Sequence, residues 1–71
     1  MKIQYFSDTD TLYIALADRA SQSSEAITEN LIVDYDDQDK PVGLTIEHYS
    51  QVADSPAIET VLPLSRAEIV T

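Results

Sequence analysis

Between Leu31 and Glu47 two apolar runs flank an acidic turn, Leu-Ile-Val-Asp-Tyr-Asp-Asp-Gln-Asp-Lys-Pro-Val-Gly-Leu-Thr-Ile-Glu, and this stretch constrains the fold more than any other. Side chains alternate faces along a strand, so a slip of one residue would turn every apolar group to the wrong side. Placing Tyr35 opposite Val42, Val33 opposite Leu44 and Leu31 opposite Ile46 gathers these apolar residues on one face. The residues between the runs, Asp36 to Pro41, are turn formers, and Pro41 has no N–H to lose at the first position of a strand. Ile32, Asp34, Gly43 and Thr45 then share the opposite face.

The N-terminal third repeats the plan. Lys2 to Phe6 alternates, with Ile3 and Tyr5 on one side and Gln4 and Phe6 on the other. Ser7-Asp8-Thr9-Asp10 is a turn by composition, and Thr11 to Ala17 alternates again through Leu12, Ile14 and Leu16. Pairing Tyr5 with Leu12 and Ile3 with Ile14 makes a second hairpin. Asp18 to Ser24 is polar and unpatterned and reads as the longest loop. A short extended piece at Ala26 to Thr28 is expected to lead into a bulge at Glu29-Asn30, where Asn accepts the left-handed conformation.

After Glu47 the period changes. Tyr49, Val52 and Ala53 lie three and four apart, which predicts a short helix near 48–54 that ends before Ser55-Pro56. A helix of that length exists only through packing. Ala57 to Leu64 reads as extended, with Pro63 confining it to an edge, and Ser65 to Thr71 as a frayed helix or a tail. The expected fold is therefore α+β and mostly β: a small antiparallel sheet of four strands in two hairpins, one short helix, and a C-terminal extended segment. Residues 1–54 form a single β-rich domain, and 55–71 an extension that serves as an edge or exchanged strand.

A chain of 71 residues has room for one domain, whose core seldom supplies more than roughly 3–5 kcal/mol without a staple or a partner. Cysteine is absent, so there is no disulfide framework, thiolate nucleophile or Cys-based zinc site. Self-association, most simply a homodimer, is the expected support. An apolar content of 44% argues for a folded chain even at a formal charge of −9. Four basic residues against thirteen acidic ones would repel a phosphate backbone, which excludes nucleic acid as a direct partner. Neither end carries a basic region followed by a long apolar run, so no signal peptide or membrane span is expected, and the chain reads as cytoplasmic.

Several residues invite a chemical reading. The acidic turn Asp34, Asp36, Asp37 and Asp39 suggests a calcium loop, because hard cations take several oxygens from one segment. With Asp34 as first ligand, however, the sixth position is Asp39 where glycine is needed and the twelfth is Thr45 where glutamate is needed. The turn is better read as a solvated cap that keeps strand ends soluble, with no metal. His48 and Ser50 suggest a base and a nucleophile, but residues two apart on a helix do not face each other. Glu47 with Asp34 or Asp36 could supply paired carboxylates, yet so small a sheet offers little concavity for a substrate. The expectation is no enzyme and no cofactor.

The tyrosines weigh more. Tyr13 projects opposite Leu12 and Ile14, beside Ala15, and Ile32 adds an apolar group on that side. A strand apolar on both faces is expected where both are covered, and one short helix covers only one. The second face, with Tyr13, Ala15, Ile32 and Tyr49 as candidate contacts, therefore awaits either a partner or the folded-back Ala57–Leu64 segment.

Three short motifs carry a resemblance. Asp10-Thr11-Leu12-Tyr13-Ile14-Ala15-Leu16, then Ile32-Val33-Asp34-Tyr35-Asp36, then Val42-Gly43-Leu44-Thr45-Ile46 resemble an uncharacterised family of short acidic bacterial proteins, domain of unknown function 2283. The pattern D-x-L-Y-I-x-L, V-D-Y-D and V-G-[LI]-x-I spans residues 3 to 53. The resemblance implies a small, mostly β protein with one helix after the last motif. It also implies an antitoxin-like, non-catalytic role beside small basic ribonuclease-like proteins. The chain departs from the pattern at Asp39, where the family has a turn glycine, and at Thr45, where it often has an acid. A structural or ligand-sensing homodimer is the alternative.

Overall fold

The computed structural model describes residues 1–55 and 57–61. Among these residues five strands, β1 (Lys2–Phe6), β2 (Thr11–Ala15), β3 (Ser23–Ala26), β4 (Leu31–Tyr35) and β5 (Pro41–Ile46), precede one helical turn, α1 (Tyr49–Val52). They form a single sheet in the order β1-β2-β5-β4-β3, with every neighbouring pair antiparallel.

Both expected hairpins form. Ile3 pairs with Ile14 and Tyr5 with Leu12 in the first; Leu31 pairs with Ile46 and Val33 with Leu44 in the second. The last pair departs from expectation: Asp34 faces Gly43 but Tyr35 faces Pro41, so Val42 is the extra residue of a bulge rather than the partner of Tyr35. The Val42 carbonyl turns instead to the chain leaving β2, accepting from the N–H groups of Leu16 at 2.9 Å and Ala17 at 3.3 Å.

The sheet also holds a strand that the sequence does not announce. Ser23–Ala26 lies within and just beyond the stretch read as a loop, and pairs with β4 from Ser23↔Tyr35 to Ala26↔Ile32. It forms because the outer side of β4 offers a row of unpaired backbone groups, and satisfying them outweighs a Ser-Ser-Glu-Ala run with no strand propensity of its own. The expected bulge at Glu29-Asn30 is a turn between β3 and β4 instead. The Thr28 hydroxyl there accepts from the N–H groups of Asn30 and Leu31 at 3.2 and 3.1 Å. The connection from β2 to β3 crosses the end of the sheet, and Arg19 on it donates from Nε to Asp36 Oδ2 at 2.8 Å.

Cross-strand pairing assigns the faces. One carries Ile3, Tyr5, Leu12, Ile14, Leu31, Val33, Leu44 and Ile46; the other carries Gln4, Phe6, Tyr13, Ala15, Ile32, Asp34, Gly43 and Thr45. The core is thin. Its buried apolar members are Leu12, Val33, Val42 and Tyr49, and no large side chain among the described residues is wholly enclosed. Residues 57–61 form no strand and leave Ile58 and Val61 exposed; the rest of the expected C-terminal strand lies outside the described residues.

Candidate interaction surface

On the face that α1 does not reach, Tyr13 of β2 sits beside Thr45 of β5 and then Ile32 of β4, while Ala15, Gly43, Asp34 and Ser24 form the neighbouring row. Gly43 has a definite task there. A Cβ at this position would collide with the Tyr13 hydroxyl and stand 3.0 Å from its Cζ and 3.2 Å from Asp34 Oδ2. The tyrosine ring therefore lies across the bare backbone of β5 toward Asp34, which only glycine permits. Asp34 in turn accepts from the Ser24 hydroxyl at 2.7 Å. Tyr13, Ala15 and Ile32 are each half-buried, so this face presents apolar surface interleaved with one carboxylate.

Tyr49 stands apart from these three. It is buried, and its ring meets Tyr5 of the opposite face at a centroid distance of 5.8 Å and a tilt of 58°. A local pattern of threes and fours identifies a helical residue but not which sheet face receives it.

The acidic turn divides by role. Asp37 and Asp39 are exposed as expected, whereas Asp36 is 5% exposed and is not a solvated cap. Its Oδ1 accepts from the N–H groups of Gln38 at 2.8 Å and Lys40 at 2.9 Å, and its Oδ2 from Arg19. Those bonds, led by the Lys40 and Gln38 amides and joined by the Arg19 charge, hold its carboxyl below the usual aspartate range against an opposing effect of burial. Asp39 adopts φ 61°, the left-handed conformation that a glycine would supply.

A second polar cluster, at the other end of the sheet, has no signature in the sequence. Asp10, itself at φ 56°, accepts from the Ser50 N–H at 3.1 Å and the Ser50 hydroxyl at 2.6 Å, while its carbonyl takes the Tyr49 N–H at 2.9 Å. The Tyr5 hydroxyl donates to the same carboxylate at 2.6 Å. Hydrogen bonds from Ser50 first and Tyr5 second lower the Asp10 carboxyl, and the same contact raises the Tyr5 phenol. Asp10 thus caps the first turn of α1 from 40 residues away, and local capping patterns could not reveal it. Asn30 holds the other side: its carbonyl accepts from the Glu47 N–H at 2.8 Å, and its Oδ1 lies 3.0 Å from His48 Nδ1.

His48 engages Asn30 while the Ser50 hydroxyl donates to a capping carboxylate, so the two groups serve different partners. Asp34 and Glu47 sit four positions apart in the β4–β5 register, about 13 Å at the rise of a strand, and Asp36 is farther still. No group of acidic or imidazole side chains suited to a metal occurs among the described residues. The concavities, one at Ser23, Ser24, Glu25, Tyr35 and Asp39 among them, are shallow and open. No helix among the described residues is long and apolar enough to cross a membrane.

A family model described as a protein of unknown function (DUF2283) matches residues 2–50, which takes in the whole sheet and the start of α1. No curated protein and no solved structure matches the chain.

Proposed function

As the chain belongs to the DUF2283 family, whose name carries no activity, we propose from its surface that it is a non-catalytic protein-binding module, an antitoxin-like acidic partner of a small basic protein. The observation that carries this reading is how the motif residues are used. Leu12, Val33 and Val42 make the core, Asp10 and Asp36 tie loops to the sheet, and Gly43 makes room for Tyr13. These residues build the fold, and what remains for function is the outward surface.

That surface is predominantly acidic. Asp8, Asp18, Glu25, Glu29, Asp37, Asp39, Asp54 and Glu59 are all exposed, and of the described basic side chains Arg19 is already bonded to Asp36. Exposed carboxylates together with the half-buried Tyr13, Ala15 and Ile32 suit a partner that brings both lysine or arginine and an apolar patch. The test is calorimetry of the full chain against the product of a neighbouring small basic reading frame. Binding that weakens as salt rises supports the reading, because exposed charges are screened by added ions. Absence of binding, or binding indifferent to salt, would overturn it.

A further inference from the structure

We propose that β1 is a self-pairing edge, through which two copies of this chain join their sheets about a two-fold axis at Gln4. This inference does not depend on the basic partner, since it leaves the Tyr13 face free.

The two edges of the sheet differ. β3 carries Ser23, Ser24 and Glu25, a polar and acidic run. β1, Lys-Ile-Gln-Tyr-Phe, is exposed along its whole length and has no acid, proline or bulge. Its paired side is occupied by β2, and on the other side alternate N–H and C=O groups point outward as a template for another strand. Natural edges are ordinarily blunted by charge, proline or a bulge, and Lys2 at one end is the only such device here.

What identifies the occupant as a second copy is complementarity of the strand with itself. Antiparallel pairing centred on Gln4 sets residue 3 against residue 5 and residue 2 against residue 6. Ile3 then meets the second copy's Tyr5 on one face, joining side chains that are 45% and 48% exposed into one apolar cluster beside the Tyr5–Tyr49 ring pair. On the other face Lys2 meets the second copy's Phe6, a cation over an aromatic ring, so the strand's only charge faces a group that attracts it. Asp8 falls beyond the paired stretch. In a chain of net charge −9, β1 is the strand on which two copies can meet without opposing carboxylates. Five residues of edge bury less than the ~800 Å² per partner of a standard interface, so the dimer is expected to dissociate on dilution.

Charge exchange at the axis tests this. Gln4→Glu or Gln4→Lys places two like charges directly opposite each other, so each variant alone is expected to sediment as a monomer at concentrations where the unaltered chain dimerises. An equimolar mixture is expected to recover the dimer, which a misfolded variant could not do. The chain has no cysteine, so Gln4→Cys offers a second readout. It should cross-link to itself with a short bismaleimide much faster than Glu25→Cys on the far edge. A monomeric unaltered chain at about 200 μM, failure of the mixture to recover association, or equal cross-linking at both edges would each overturn the proposal.

Discussion

At residue scale three positions carry more of the structure than their chemistry suggests. Asp39 pays for a left-handed backbone at φ 61°, which costs a non-glycine residue roughly 1 kcal/mol, so Asp39→Gly should raise stability by up to about that amount in urea unfolding. Gly43→Ala should do the reverse, costing about 1–3 kcal/mol as its methyl drives the Tyr13 ring from its seat. That cost should largely vanish in a Tyr13→Ala background, which identifies the clash as its source. Asp36 is held ionised by two amides and Arg19. A carboxyl lowered in the folded state stabilises fully above its unfolded pKa, and that stabilisation disappears as pH falls through the folded value. Stability should therefore start to fall as pH enters the ordinary aspartate range and go on falling below it, and Asp36→Asn should flatten the dependence of melting temperature on pH across that window.

At the scale of elements the helix is the instructive case. Four residues cannot hold a helix by themselves, and α1 persists because Asp10 and Asn30, from turns on separate hairpins, grip its start. Asp10→Ala should speed amide exchange at Ser50 by roughly tenfold or more while leaving β4 and β5 amides unchanged. The grip should loosen at both pH extremes. Protonation of Asp10 releases it in acid. At the alkaline end Tyr5, whose phenol is raised by the Asp10 contact, contributes below its unfolded pKa and ceases to as pH climbs through the folded one. Tyr5→Phe should remove the alkaline limb and shrink the acid one, because the Tyr5 hydroxyl also helps to hold the Asp10 carboxyl low. The four strands with apolar alternation, and the registers Ile3↔Ile14, Tyr5↔Leu12, Leu31↔Ile46 and Val33↔Leu44, were legible in the sequence because burial of one face fixes them. β3 was not, since its pairing is set by its neighbour's backbone and not by its own side chains. The faces of Tyr13, Ala15 and Ile32 were legible by parity alone, whereas Asp10 owes its role to a contact 40 residues distant that no local pattern encodes, and Asp36 adds to the nearby Gln38 and Lys40 amides an Arg19 bond 17 residues distant.

For the molecule as a whole, charge and core pull in opposite directions. A formal charge of −9 on so thin a core means that carboxylate repulsion is opposed by few buried contacts. Raising sodium chloride from low ionic strength to about 0.5 M should therefore increase the melting temperature, since screening weakens the repulsion among exposed groups. A melting temperature that falls or stays level would show the negative surface to be no burden. The order β1-β2-β5-β4-β3 has a further consequence for how the protein is made. The strand at the centre is the one synthesised last, so the first hairpin and the β3–β4 ribbon leave the ribosome with nothing between them. Neither half can complete its hydrogen bonds until Ile46 has emerged and slid into the gap. A nascent chain stalled before Pro41 would expose two raw seams, on β2 and β4, which the finished protein never shows.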